Sequence, residues 1–277
     1  MMMHTHPIRA AVFDIDGTLA MMDKEKGTYE ALPGAVAALD ACKAMGRPAV
    51  AYTNGTFFPP AHYYPLLADA GLVLDAGHIL TPAAVAAHEL KSRGFGRVMV
   101  MGAEGTRVPI SDAGIEVVLP QEDAAGVEAI MLGWCREFTN KDVEAICSLI
   151  WDKNVPVFAA SVAPFFASSK GRMLGISGAV AAMIEYTTGA RATVFGKPST
   201  NGLAMITDLT GVAPQEMVVV GDDPGLEIRM AREAGALAVG VTTGLNDTAA
   251  FNAVAESHRA QVVLPGLEGF ADQEWFR

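Results

Sequence analysis

Aspartates, a threonine and a lysine stand in four short segments of this chain where their types and spacing could do chemistry. Asp14-Ile15-Asp16-Gly17-Thr18 sets two carboxylates two residues apart, and Thr53-Asn54-Gly55 brings a hydroxyl and an amide. Gly196-Lys197-Pro198-Ser199 brings an ammonium, and Gly221-Asp222-Asp223 two further carboxylates. Toward a phosphate dianion each carboxylate is repulsive, by about 1–4 kcal/mol per charge pair near 4 Å. A site of this composition therefore handles a phosphoryl group only with compensating cations. Lys197 supplies one, and a hard divalent ion held by Asp14 and Asp222 supplies two more charges. Oxygen ligands, few protein carboxylates and retained waters are the pattern of Mg²⁺. With the charges balanced, Asp14 can attack phosphorus while Asp16 gives a proton to the departing oxygen.

Other patterns fit the same segments less well. A calcium loop starting at Asp14 wants a third oxygen residue at its fifth position and glycine at its sixth, whereas Gly17 stands at the fourth. A phosphate-binding P-loop fails at Gly196-Lys197, because Pro198 follows the lysine and no glycine lies five residues before Gly196. Taken singly, each segment is an ordinary strand end or turn. Their order, each after its own apolar run, is what joins them.

Those runs are the elements that must position the site. Ala10–Phe13 precedes Asp14, Ala49–Tyr52 precedes Thr53, Thr193–Phe195 precedes Gly196, and Met217–Val220 precedes Gly221; Ala236–Val241 and Gln261–Leu264 follow. They lack period-two alternation and most are rich in Val, as strands covered on both faces of a parallel sheet should be. Ala-rich segments of helical spacing lie between them, at Pro33–Met45, Ser199–Leu209 and Gly225–Ala234. The alternation predicts an α/β fold with a doubly wound, Rossmann-like parallel sheet, whose ligands gather at the carboxyl ends of the strands. Residues 82–190 repeat the style with their own strands, Arg97–Met101, Ile115–Val118, Ala129–Leu132 and Pro156–Ala159. A helix over Thr139–Asp152 opens on the capping sequence Thr139-Asn140-Lys141-Asp142. The expected organisation is a discontinuous core, 1–81 and 191–277, with 82–190 inserted as an α/β cap.

Composition agrees and excludes alternatives. With 277 residues, 51% hydrophobic and 18% charged, the chain is no disordered or low-complexity sequence. Its formal net charge of −11, with no Lys/Arg run, argues against nucleic-acid and anionic-membrane partners. The cysteines Cys42, Cys135 and Cys147 lack metal spacing and read as buried, reduced thiols. The opening MMMHTHPIRA has no apolar h-region and no membrane-spanning run follows, so a cytoplasmic protein is expected. None of His4, His6, His62, His78, His88 and His258 has a partner at metal-binding spacing.

The four segments resemble the motifs of the haloacid dehalogenase superfamily of phosphohydrolases. Asp14-x-Asp16-Gly17-Thr18 matches the first, Thr53 the second, Lys197 the third, and Gly221-Asp222-Asp223 with Glu227 the fourth. The insert between the second and third motifs is similar to the large α/β cap of the 4-nitrophenylphosphatase-like subfamily, which includes sugar and nucleotide phosphatases. The resemblance implies a Mg²⁺-dependent phosphatase of a small phosphorylated metabolite. In that scheme Asp14 is the nucleophile and forms an aspartyl-phosphate, while Asp16 is first general acid and then general base. Thr53, with Asn54 and Gly55, receives the phosphoryl oxygens and Lys197 neutralises charge. Asp14, the Asp16 carbonyl and Asp222 hold the metal, supported by Asp223 or Glu227. Relatives with this cap pair through it, which implies a homodimer. The departures are Glu227 where Asp is usual, Gly55 where Asn is frequent, and Ser161-Val162-Ala163 in a cap loop that often reads Asn-x-Asp. Lys170 and Arg172 stand beyond that loop and read first as solvated loop charges, with contact to a substrate anion as the alternative. Phosphoryl transfer of the mutase type and a non-catalytic metabolite-binding role are the competing readings.

Overall fold

The computed structural model describes residues 6–23, 25–168 and 171–277, without the side chains of 166–172. The chain forms two compact units: Met1–Thr53, His62–Leu80 and Lys197–Arg277 make the first, and Asn54–Ala61 with Thr81–Gly196 the second.

A six-stranded parallel sheet organises the first unit, in the order Val262–Leu264, Leu237–Val241, Met217–Gly221, Ala10–Phe13, Ala49–Tyr52, Ile79–Leu80. Every residue of Ala10–Phe13, Met217–Gly221 and Leu237–Val241 is buried, which is why these strands carry apolar residues without alternation. On one face Ala35, Ala38, Leu39 and Cys42 of the helix Ala35–Ala44 pack with Phe13, Val218, Val220 and Val239, beside Phe270 and Phe276 from the chain's end. Each fully buried Val, Leu, Ile or Phe contributes about 1.5–3 kcal/mol. Side by side in register, Ala10 pairs with Met217 and Phe13 with Val220, so Asp14 and Gly221 leave the sheet at the same edge. The helices Asn201–Thr210 and Arg229–Ala234 bury Leu203, Ile206, Met230 and Ala231. A hairpin of Ala20–Asp23 with Thr28–Ala31 follows the first motif, an element the apolar-run pattern does not show.

The second unit holds a five-stranded parallel sheet, in the order Thr193–Val194, Val157–Ala159, Ala129–Leu132, Arg97–Met101, Glu116–Val118. Its helices are Pro82–Ser92, Glu104–Asp112, Asn140–Lys153 and Ile176–Thr188. The third of these starts as its capping sequence predicts: the Thr139 main-chain N–H donates to the Asp142 carboxylate at 2.7 Å.

One strand departs from expectation. Thr193–Val194 does not join the sheet of Ala10–Phe13 but pairs with Val157–Ala159 in the second unit. Phe195 stacks on Phe158 at 5.1 Å between ring centroids, and Gly196 donates its N–H to the Ala160 carbonyl at 2.9 Å. So short a run carries no mark of which sheet it will enter. Lys197 then opens the next segment of the first unit. The three cysteines are free and buried. Among the described residues no helix is long and apolar enough to cross a membrane. His4, Lys170 and the side chain of Arg172 lie outside the described residues.

Candidate active site

The strand-end rule accounts for Asp14 and Asp222, and Lys197 joins them although the strand before it lies in the other sheet. Asp14 ends the central strand, buried, its N–H donating to the Val220 carbonyl at 3.0 Å. The Ile15 carbonyl then accepts the N–H groups of Thr18, Leu19 and Ala20, at 3.3, 3.0 and 2.9 Å. This tight loop leaves Asp16 exposed while burying Ile15 and Gly17.

Gly17 has φ +91°, and a Cβ there would stand 2.7 Å from Asp222 Oδ2. The first motif is thus pressed against the fourth with no room for a side chain. Gly244 closes the other side, where a Cβ would meet Asp222 Oδ2 at 1.8 Å. Leu245 donates its N–H to Asp222 Oδ2 at 3.2 Å, the Asn246 amide donates to the Asp222 carbonyl at 3.0 Å, and Thr243 Oγ1 donates to the Gly17 carbonyl at 2.6 Å. Residues 243–246 were not among the expected site residues. They too follow a buried strand, Leu237–Val241, so the same strand-end rule points to them once that strand is counted.

Lys197 is buried with its ammonium between two carboxylates. Nζ lies 2.5 Å from Asp14 Oδ1 and 2.5 Å from Glu227 Oε1, and donates to the Tyr52 carbonyl at 2.7 Å. Thr53 is buried beside that carbonyl, its N–H bonded to the Leu80 carbonyl at 3.1 Å. Asn54 and Gly55 belong to the second unit. Asp223 accepts from the Gly225 N–H at 2.7 Å and opens the turn Pro224–Ile228, while its own N–H donates to Glu227 Oε2 at 3.2 Å. The Lys197–Glu227 pair was not foreseen, because a carboxylate inside a turn carries no sequence mark of the cation it will meet.

The charges are unbalanced. Burial pushes the Asp14 carboxyl well above its ordinary range; Lys197 pulls it down, while Asp222 and Asp16 push it further up. Burial and then Glu227 raise Asp222 to about 6. Burial also raises Glu227, against the pull of Lys197. Burial would lower Lys197, but Asp14 and Glu227 more than reverse this and keep it protonated. One cation faces several carboxylates.

In the second unit Ser161 accepts from the Ala163 N–H at 3.1 Å through its hydroxyl, and its carbonyl accepts from Ser177 Oγ at 2.7 Å. Two of the described histidines have contacts away from the motifs: His78 Nδ1 lies 2.9 Å from the Ala49 carbonyl and His258 lies 3.6 Å from Glu233.

Sequence comparison agrees with this geometry. A model of the haloacid dehalogenase-like hydrolases matches residues 11–116, and a second, HAD-hydrolase-like model matches residues 194–269, bracketing all four motifs. The chain belongs to the haloacid dehalogenase-like hydrolases. Within them it is a phosphatase, a hydrolase of phosphoric monoesters. It is similar to chronophin of Rattus norvegicus, 26% identical over 245 residues, covering 86% of this chain and 77% of chronophin. It is 27% identical to dihydroxyacetone phosphatase of Corynebacterium glutamicum (strain R) over 237 residues, 85% and 82% of the two chains. Its fold is that of 4-nitrophenylphosphatase from Thermotoga maritima, with a TM-score of 0.83 at 22% identity, over 96% of this chain and 97% of that one.

Proposed function

We propose that this chain is a Mg²⁺-dependent phosphatase of a small phosphorylated metabolite, working through an aspartyl-phosphate on Asp14. The observation that carries the reading is the Asp14 carboxylate at the end of the central strand, 2.5 Å from the Lys197 ammonium and alongside Asp222. Attack by Asp14 on phosphorus breaks the bond to the leaving oxygen, which takes its proton from the exposed Asp16. Asp16, now ionised, takes a proton from water as that water attacks the phosphoryl group. The bond to Asp14 then breaks and inorganic phosphate is released. Lys197 offsets the charge on Asp14 and the phosphoryl oxygens throughout, and Thr53 donates to one of those oxygens.

The donor set fits a hard divalent cation. Asp14 and Asp222 are both raised by burial among like charges, so both gain from a positive partner. Among the described residues no three His, Cys, Asp or Glu side chains form a metal-ligating group. The ligands proposed here are two carboxylates, Asp14 and Asp222, and the Asp16 carbonyl, with water completing the shell. Bound there, Mg²⁺ neutralises the carboxylates and orients the phosphoryl group.

The first unit is taken as the catalytic core and the second as the cap that selects the leaving group, with a homodimer paired through the cap. Turnover of 4-nitrophenyl phosphate with and without Mg²⁺ tests the reading. Metal-dependent release of nitrophenolate supports it; binding of phosphate esters with no turnover at any Mg²⁺ concentration overturns it.

A further inference from the structure

Glu227 occupies the place where members of this family usually carry aspartate, and the added methylene has a visible consequence. Pro224–Ile228 is a wide, π-type turn in which the Ile228 N–H reaches back to the Asp223 carbonyl at 3.4 Å. Such turns swing a side chain out of the direction an α-helix would give it. Glu227, within this turn, is buried. A Cβ on Gly221 would stand 2.4 Å from Glu227 Cβ and Cγ, so the side chain lies against the strand end, in space that only glycine at 221 leaves open. Both of its oxygens are engaged there: Oε1 on Lys197 Nζ at 2.5 Å, Oε2 on the Asp223 N–H at 3.2 Å. Lys197 in turn is fixed by three acceptors, Glu227, Asp14 and the Tyr52 carbonyl.

Resting on the phosphatase reading above, we propose that Glu227 is the positioning carboxylate of Lys197 and stands outside the metal's ligand shell. It holds the ammonium beside Asp14 with the three hydrogens directed to Glu227, Asp14 and the Tyr52 carbonyl, so that its charge screens the nucleophile and the incoming phosphoryl oxygens. Without it the ammonium keeps only Asp14 and the Tyr52 carbonyl and loses the third contact that fixes its direction. The division of labour then assigns metal binding on this turn to Asp222 and lysine positioning to Glu227. Asp at position 227 is too short for that task.

The test compares Glu227→Gln, Glu227→Asp and Glu227→Ala, reading kcat and KM on 4-nitrophenyl phosphate, and Mg²⁺ affinity by calorimetry on each protein. The expectation is a fall in kcat of about 10–100-fold for the Ala and Asp variants, with Mg²⁺ affinity within about twofold of wild type and largely restored kcat in the Gln variant, whose Oε1 still accepts from Lys197. A metal-shell role gives the reverse order: Asp preserves function, while Gln and Ala weaken Mg²⁺ about 10–100-fold. That order overturns the proposal. A second readout needs no activity. In the wild-type background Glu227→Gln should lower the urea midpoint; in a Lys197→Met background, where Glu227 is an unpaired buried charge, it should raise it. A fall of equal size in both backgrounds shows no coupling and also overturns the proposal. Asp222→Asn separates this result from the phosphatase reading, since its loss of Mg²⁺ binding is expected whatever Glu227 does.

Discussion

Gly244→Ala is a small change with a large expected effect. The new Cβ would lie 1.8 Å from Asp222 Oδ2, 2.5 Å from its Cγ and 2.7 Å from its Cβ. A carbon atom tolerates no such contact under 3.0 Å, so Oδ2 must move by more than about 1 Å, and misplacement of that size costs about 10²-fold. Rotation of the carboxylate alone gives no relief, because the Asp222 Cβ is also too close; the side chain must swing and abandon the Leu245 N–H. Lost catalysis of about 10²-fold corresponds to about 2.7 kcal/mol of transition-state stabilisation. The fold should lose less, about 1–3 kcal/mol, the usual range for overpacking. The assay is kcat/KM on 4-nitrophenyl phosphate across Mg²⁺ concentrations, beside urea denaturation. Gly96→Ala is the control, since a Cβ there meets nothing closer than 3.7 Å. Gly244→Ala activity within about threefold of the control would refute the claim that Asp222 must sit in this cradle to act.

Lys197→Met should destabilise the protein by about 3–5 kcal/mol at neutral pH, because it strands Asp14 and Glu227 as buried carboxylates without a cation; an unchanged urea midpoint contradicts the pairing. Asp222, raised by burial to about 6, binds a proton more readily folded than unfolded, so metal-free stability should rise as the pH falls from 7 to 5. That gain should shrink in Asp222→Asn without vanishing, because Asp14 and Glu227 are raised by burial too and contribute with the same sign; urea midpoints at the two pH values in chelator decide it. Asp16→Asn should lose about 10²–10⁴ in rate on an alkyl phosphate. The loss in the first step should be smaller on 4-nitrophenyl phosphate, whose leaving group needs no proton, and single-turnover rates on the two substrates separate the cases.

The parallel core was legible because its strands are buried on both faces and spell themselves as apolar runs; Ala10–Phe13 and Ala49–Tyr52 run as expected. The candidate site was legible for the same reason, since Asp14, Thr53 and Asp222 are the polar residues where those runs stop. What stayed hidden depends on contacts between distant residues. The hairpin Ala20–Asp23 with Thr28–Ala31 is held by cross-strand pairing, and its sequence lacks clean alternation. The sheet entered by Thr193–Val194 is that of Val157–Ala159, where Phe195 also meets Phe158. Glu227 meets Lys197 from within a wide turn, thirty residues away along the chain. A motif names the residues; the fold decides which of them touch.

The central claim is that Asp14 carries the phosphoryl group. Wild-type protein mixed with 4-nitrophenyl phosphate and Mg²⁺ in a single turnover, quenched in acid and digested, should yield a peptide phosphorylated on Asp14, formed and consumed at rates consistent with turnover. Asp14→Asn should yield none. Phosphoenzyme formed by Asp14→Asn at the wild-type rate, or a wild-type label mapped to any other residue, would contradict the account.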